Sequence, residues 1–101
     1  MFIEREIKDK RINKEDKMEN MDNRYERMAT MLGMTVTERN TVAGVNTFVA
    51  EITMERGTIT IHCGENGTAR IDKPNGTHKW YYEKSTGQLR SVIKQVMNFW
   101  K

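Results

Sequence analysis

The carboxyl-terminal segment carries the clearest hydrophobic pattern in the chain. Its apolar residues recur at intervals of three and four, which places them on one face of a helix. They are Leu89, Val92, Ile93, Val96, Met97 and Trp100. Ser85 and Gln88 precede this stripe with the S-x-x-Q spacing of a capping box. The pattern therefore predicts an amphipathic helix that begins just after Ser85.

A second apolar stripe predicts a helix over residues 14–32. Asn13 is suited to its N-cap, and Gly33 is suited to a left-handed residue just beyond its end. The stripe consists of Met18, Met21, Tyr25, Met28 and Leu32. Such a stripe packs on a sheet or, alternatively, forms the seam of a homodimer. Residues 1–13 precede this helix as a charged arm, frayed or weakly helical, because their apolar residues do not continue the stripe.

The middle of the chain alternates between short apolar segments and turn signals. Glu55-Arg56-Gly57, Glu65-Asn66-Gly67 and Pro74-Asn75-Gly76 mark three turns, and Asn-Gly is a strong hairpin signal. These turns separate four strands of an antiparallel meander. The predicted strands are residues 47–55, 58–63, 68–73 and 78–84. Residues 34–39 are a candidate fifth strand at the edge, ahead of a loop that contains Gly44.

Alternation assigns the strand residues to two faces of the predicted sheet. The apolar face consists of Phe48, Ala50, Ile52, Met54, Ile59, Ile61, Cys63, Ala69, Ile71, Trp80 and Tyr82. Both helices are expected on this face, because a meander alone cannot shield it from water. The sequence thus predicts an α+β fold, with residues 14–101 forming a single domain.

Composition and charge narrow the class of protein. The chain has 101 residues, 17 basic and 14 acidic, and 37% of its residues are apolar, which suits one thin core. The surplus of positive charge belongs to the last helix, in Arg90, Lys94 and Lys101. No apolar run approaches the ~20 residues of a membrane span, and one cysteine cannot form an internal disulfide. We therefore expect a cytoplasmic protein without membrane contact.

The sequence does not contain the complete set of residues that any common catalytic arrangement requires. His62 and Cys63 are adjacent in a predicted strand, so their side chains lie on opposite faces and cannot form a nucleophile–base pair. Phosphate-binding glycine motifs and zinc-binding motifs are missing from the sequence. We therefore predict no catalytic residue, no metal site, no cofactor and no enzymatic activity.

The second face of the predicted sheet offers a binding surface instead. Alternation places Arg70, Lys79, Tyr81 and His62 on it, among threonines, and the last helix adds Arg90 and Lys94. Arginine and tyrosine are enriched among the residues that dominate protein interfaces. Side chains of these types also bind phosphates and stack on bases, so a nucleic-acid interface is the alternative.

The chain resembles two known kinds of protein, and these resemblances bear on the choice between a protein interface and a nucleic-acid interface. The run from Tyr25 to Cys63, with the helix from Leu89, resembles the helix–sheet–helix order of double-stranded-RNA-binding domains. That family has a lysine cluster at the start of its last helix, where this chain has Ser85-Thr86-Gly87-Gln88 and only Arg90 nearby.

In its size, its charged arm and hairpins such as Glu65-Asn66-Gly67, the chain is similar to small phage or mobile-element accessory proteins, including anti-CRISPR proteins. That resemblance implies a non-enzymatic regulator or inhibitor that occupies a surface of a larger protein or nucleoprotein. The alternative is a module that binds nucleic acid directly.

Overall fold

A computed structural model describes residues 24–101 of the chain. In chain order, its elements are α1 (Arg24–Met31), β1 (Thr35–Val42), β2 (Val45–Met54), β3 (Gly57–Gly64), β4 (Ala69–Asp72), β5 (His78–Tyr81) and α2 (Thr86–Trp100). The predicted arm and the first part of the predicted helix, with Met18 and Met21, lie outside the described residues. Of the proposed dimer seam, Tyr25 and Met28 are buried and Leu32 packs against the core.

The five strands form one antiparallel sheet in the order β1-β2-β3-β4-β5. The α+β class, the meander and the position of the two helices are as the sequence predicts. The candidate edge strand exists and is longer than expected, because β1 continues to Val42. It then turns through Ala43 and Gly44, with φ of 52° and 80°, which suits the right-handed twist of a two-residue hairpin.

The core lies between one face of the sheet, the helix face, and the two helices. On the sheet side it is formed by Phe48, Ala50, Ile59, Ile61, Cys63, Ala69 and Ile71, and on the helix side by Tyr25, Met28, Ala29, Leu89 and Ile93. Burial of this apolar surface is the main favourable contribution to folding. The alternation of the sequence identified the sheet side of this core correctly from β2 through β4.

The start of α2 is fixed by the predicted capping box. The hydroxyl of Ser85 accepts a hydrogen bond from the Gln88 backbone N–H at 3.1 Å. In return, the Gln88 side-chain oxygen accepts from the Ser85 backbone N–H at 2.9 Å. Two backbone donors that the helix cannot satisfy internally are therefore paired, and α2 begins at a defined residue.

In β5, the residues predicted for the apolar face and those predicted for the open face are exchanged. Ala69 lies opposite Tyr81 and Arg70 lies opposite Trp80, so it is Tyr81 that turns toward the helices. Trp80 remains 47% exposed and Tyr82 63% exposed. The assignment of Trp80 and Tyr82 to the core is therefore wrong. Alternation fixes only which residues of a strand share a face, and a shift of one residue in pairing exchanges the two sets.

Candidate functional site

The sheet face that turns away from the helices, the open face, carries a row of one residue from each strand. Glu38, Val49, His62, Arg70 and Trp80 are successive cross-strand neighbours from β1 to β5. Direct cross-strand neighbours have Cβ atoms ~5 Å apart, so their side chains contact one another. The row thus brings together an acidic, an aliphatic, an imidazole, a guanidinium and an indole group.

Hydrogen bonds and ion pairs fix the middle of this row. Arg70 Nη2 lies 3.0 Å from His62 Nε2 and 3.0 Å from Asp72 Oδ2. Arg70 Nε is also 2.9 Å from Asp72 Oδ1, at ion-pair distance but without the alignment of a hydrogen bond. His62 Nε2 also lies 3.3 Å from Asp72 Oδ2, so each of the three side chains contacts the other two. The three half-buried side chains hold one another in a single arrangement.

Two exposed aromatic rings extend the row at the β5 edge. The rings of Trp80 and Tyr82 are stacked, with centroids 6.2 Å apart and planes 12° from parallel. The Arg70 guanidinium lies 5.9 Å from the centre of the Trp80 ring, within range of a cation–π interaction. Contacts on both sides therefore restrict the Trp80 ring while leaving half of its surface available to a partner.

A groove of about 450 Å³ runs along the open face beside this row. Its apolar wall is formed by Val42, Val45 and Val49, and Trp80 and His62 border it on the other side. Val42 is 59% exposed, although it is aliphatic. Exposed apolar surface that is contiguous and rimmed by polar groups is typical of an interaction site.

The charge on the open face is acidic. The strand residues that face this side include the carboxylates of Glu38, Glu51 and Asp72 and one guanidinium, that of Arg70. Asp72 is paired with Arg70. Glu38 and Glu51 are exposed, and neither has an ion pair with any residue in 24–101. The open face therefore presents unneutralised negative charge beside its apolar groove.

The residues predicted from the sequence do not form one site. His62 and Arg70 lie together on the open face, as expected. Lys79 and Tyr81 belong to the helix face instead, because Lys79 lies opposite Ile71 and Tyr81 lies opposite Ala69. Arg90 and Lys94 are exposed on α2, which packs on the helix face. The predicted set is thus divided between two opposite sides of the molecule.

Sequence reasoning missed the aromatic and aliphatic parts of the open face. Alternation assigns Trp80 and Tyr82 to the core, and it makes no prediction for the three valines that line the groove. The signal for Val42 and Val45 was their position on either side of the Ala43-Gly44 turn, where directly opposed residues share a face. No feature of the sequence indicates that Trp80 and Tyr82 are exposed, because their exposure depends on the register of β5.

The thiol lies on one face of the sheet, and the two histidines lie on the other. Cys63 is 2% exposed on the helix face, and burial raises the pKa of its thiol to about 12. His62 is on the open face, as the adjacency of the two residues predicts. His78 lies in the neighbouring row, opposite Asp72. Within residues 24–101, no group of three or more His, Cys, Asp or Glu side chains is arranged to hold a metal ion.

The two helices of the described region do not have the features of a membrane-spanning helix. Neither α1 nor α2 combines the length and the apolar character that crossing a membrane requires. Comparisons with protein-family models, with curated proteins and with solved structures found no match. The geometry of the open face is therefore the basis for a functional interpretation.

Proposed function

We propose that this protein is a non-enzymatic binding protein that docks through its open face onto a larger protein or nucleoprotein and acts as its regulator or inhibitor. The observation that carries the proposal is the exposed, stacked pair of Trp80 and Tyr82, held beside Arg70. Tryptophan, tyrosine and arginine are the residues most enriched among interface hot spots. The contacts among the three side chains limit the conformational entropy that binding would cost.

The shape and charge of the open face define the chemistry of the partner. The groove bordered by Val42, Val45 and Val49 accepts an apolar side chain. Glu38 and Glu51 remain available for a basic residue of the partner. The partner surface is therefore expected to present an aliphatic or aromatic side chain flanked by lysine or arginine.

Nucleic acid is not the ligand that the open face fits best. Phosphate binding draws on several lysine or arginine contacts, and this face offers Arg70 alone, already paired with Asp72. Arg90 and Lys94 cannot assist, because they lie on the other side of the sheet. The separation of the open face from Arg90 and Lys94 therefore favours a protein partner for the open face.

Affinity capture from the native host tests the proposal, using the full chain as bait. A protein identified by mass spectrometry is purified, and its affinity is measured for the parent and for Trp80→Ala combined with Tyr82→Ala. Loss of a hot-spot pair is expected to weaken binding at least thirtyfold, equivalent to ~2 kcal/mol. The affinity should change only modestly with salt and should survive nuclease treatment.

Met31→Ala is the control, because it removes another exposed apolar side chain, from α1 on the opposite side of the sheet. It should leave the affinity for the partner protein unchanged. The proposal is wrong if the partner binds the Trp80/Tyr82 variant as tightly as the parent, or if Met31→Ala alone abolishes binding.

A further inference from the structure

A second groove lies on the other side of the molecule, between α2 and the β4–β5 hairpin. It has a volume of about 350 Å³. Lys73 and Lys79 contribute from the hairpin, and Val92, Gln95 and Phe99 contribute from α2. Among residues 24–101, no aspartate or glutamate lines it. This groove has the opposite charge to the open face.

The lysines of this groove carry uncompensated charge. Across the described chain, neither Lys73 nor Lys79 has a carboxylate within ion-pair distance. The ammonium group of Lys79 lies 5.5 Å from the centre of the Tyr81 ring, which keeps it at the groove wall. Residues 24–101 contain 11 basic and seven acidic residues, so the net charge of the described part of the chain is +4. A ligand with negative charge is therefore attracted to this side.

Aromatic rings form the other part of the groove. Phe99 lies outside the apolar stripe of α2, and its ring is 65% exposed. Arg56, from the β2–β3 turn, donates a hydrogen bond to the Phe99 carbonyl oxygen at 3.0 Å and lies 4.9 Å from the centre of the Trp100 ring. The two rings are in edge-to-face contact, with centroids 5.3 Å apart. These contacts hold an exposed aromatic surface at the end of the groove.

Amide groups complete the groove. The Asn75 side-chain oxygen accepts hydrogen bonds from the Thr77 backbone N–H at 3.1 Å and from the Thr77 hydroxyl at 2.7 Å. These bonds orient the side chain and leave its NH₂ group without a partner within the described region. Gln95 is exposed on the opposite wall. Amides at such positions are suited to the hydrogen-bonding edges of a base.

From this combination we infer that the groove binds single-stranded nucleic acid, with Lys73 and Lys79 on phosphates and a base stacked on Phe99. Positive charge along a groove, together with exposed rings, is the usual arrangement for single-strand binding. An acidic peptide would use the lysines and leave the ring and the amides without a role. With a protein-binding face on one side and this groove on the other, the molecule suits a nucleoprotein target.

Fluorescence anisotropy with a labelled ten-nucleotide oligothymidylate tests this inference on the full chain at several salt concentrations. Lys73→Gln combined with Lys79→Gln is expected to weaken binding at least tenfold at low salt. The slope of log affinity against log salt should flatten by about 1.4, at ~0.7 for each single-strand phosphate contact. Phe99→Ala should weaken binding about tenfold and leave this slope unchanged, because stacking releases no counterions.

Arg90→Gln combined with Lys94→Gln is the matched control, since it removes the same charge from α2. At 100° per residue, these two positions lie on the opposite side of the helix from Val92, Gln95 and Phe99. The control should weaken binding less than threefold. An equal loss in the control would overturn the inference, because binding would then depend on net charge rather than on the groove.

Competing probes give the other decisive outcomes. A ten-residue polyglutamate peptide that binds as tightly as the oligonucleotide would replace the inference with an acidic-peptide site. A duplex that binds as tightly would exclude the stacking role of Phe99. The Trp80/Tyr82 variant should retain oligonucleotide binding, so failure of this inference is distinguishable from failure of the protein-binding proposal.

Discussion

Arg70 and Trp80 lie directly opposite each other in β4 and β5, and the Arg70 guanidinium is 5.9 Å from the centre of the Trp80 ring. Through this relationship the indole ring lies on the open face of the sheet. Because Asp72 and His62 hold Arg70 from the other side, the indole is oriented without being buried. An oriented and accessible tryptophan is suited to binding rather than to core packing.

The first prediction is that Trp80 contributes much less to stability than a core aromatic residue does. Trp80→Ala should lower the free energy of unfolding by about 1 kcal/mol or less, since the ring is half-exposed and loses mainly its cation–π and stacking contacts. Phe48→Ala, which truncates a ring that is 2% exposed, should cost ~3–5 kcal/mol. Urea unfolding measures both values. Equal losses in the two variants would place Trp80 in the core and contradict the register of β5.

The second prediction concerns the close approach of Gly67 to the chain that follows β5. Its φ is +87°, and a Cβ atom added there would overlap the carbonyl oxygen of Lys84. Gly67→Ala should therefore destabilise the fold by more than ~2 kcal/mol, because steric overlap adds to backbone strain. Thermal unfolding, followed by circular dichroism, measures the change.

Gly76 provides the control for this substitution. Its φ is +88°, nearly that of Gly67, but nothing lies within 4 Å of an added Cβ. Gly76→Ala should cost only the ~1 kcal/mol of a left-handed alanine. If the two variants unfold at the same temperature, the contact between Gly67 and the Lys84 backbone is not tight.

The third prediction tests the capping box at the start of α2. Ser85→Ala should cost ~1 kcal/mol, because the Gln88 N–H loses its acceptor. Gln88→Ala removes the reciprocal bond to the Ser85 N–H, and combining both substitutions should cost less than the sum of the two. A double-mutant cycle by urea unfolding gives these values. Strict additivity would show that the two bonds do not support each other.

The fourth prediction is a dependence of stability on alkaline pH. Burial raises the pKa of the Cys63 thiol from 9.0 to about 12, so between these values the thiol ionises in the unfolded chain but not in the folded one. The unfolded state then binds fewer protons, and stability falls as pH rises, by up to ~1.4 kcal/mol per pH unit from this group. Below pH 9 this contribution is constant.

Comparison with Cys63→Ala separates the contribution of this thiol to the pH dependence from that of every other group. Its unfolding free energy, measured between pH 8 and 11, should fall less steeply than that of the parent protein. The same burial should prevent a maleimide from labelling Cys63 at pH 8 until denaturant is added. Rapid labelling of the native protein would contradict the placement of this thiol in the core.

The sequence by itself determined the two helices, four of the five strands and their order, and most of the core, whereas the edge strand was only a candidate. These features depend on short-range patterns: the 3–4 spacing in α2, the capping box at Ser85, and the alternation that runs unbroken through Ile59, Ile61, Cys63, Ala69 and Ile71. Each of these patterns is a property of a few neighbouring residues, so it can be recognised without knowledge of distant contacts.

The tertiary structure alone decided the orientation of β5 and, with it, which residues form the candidate site. In the segment from Lys79 to Tyr82, both alternating sets contain aromatic residues, so the sequence does not distinguish the buried face from the exposed one. Pairing of Ala69 with Tyr81 and of Arg70 with Trp80 makes that choice. The same pairing moves Lys79 to the side of α2, where it joins Lys73 and Phe99. Residues far apart in the chain thus meet through strand register, which is a long-range property.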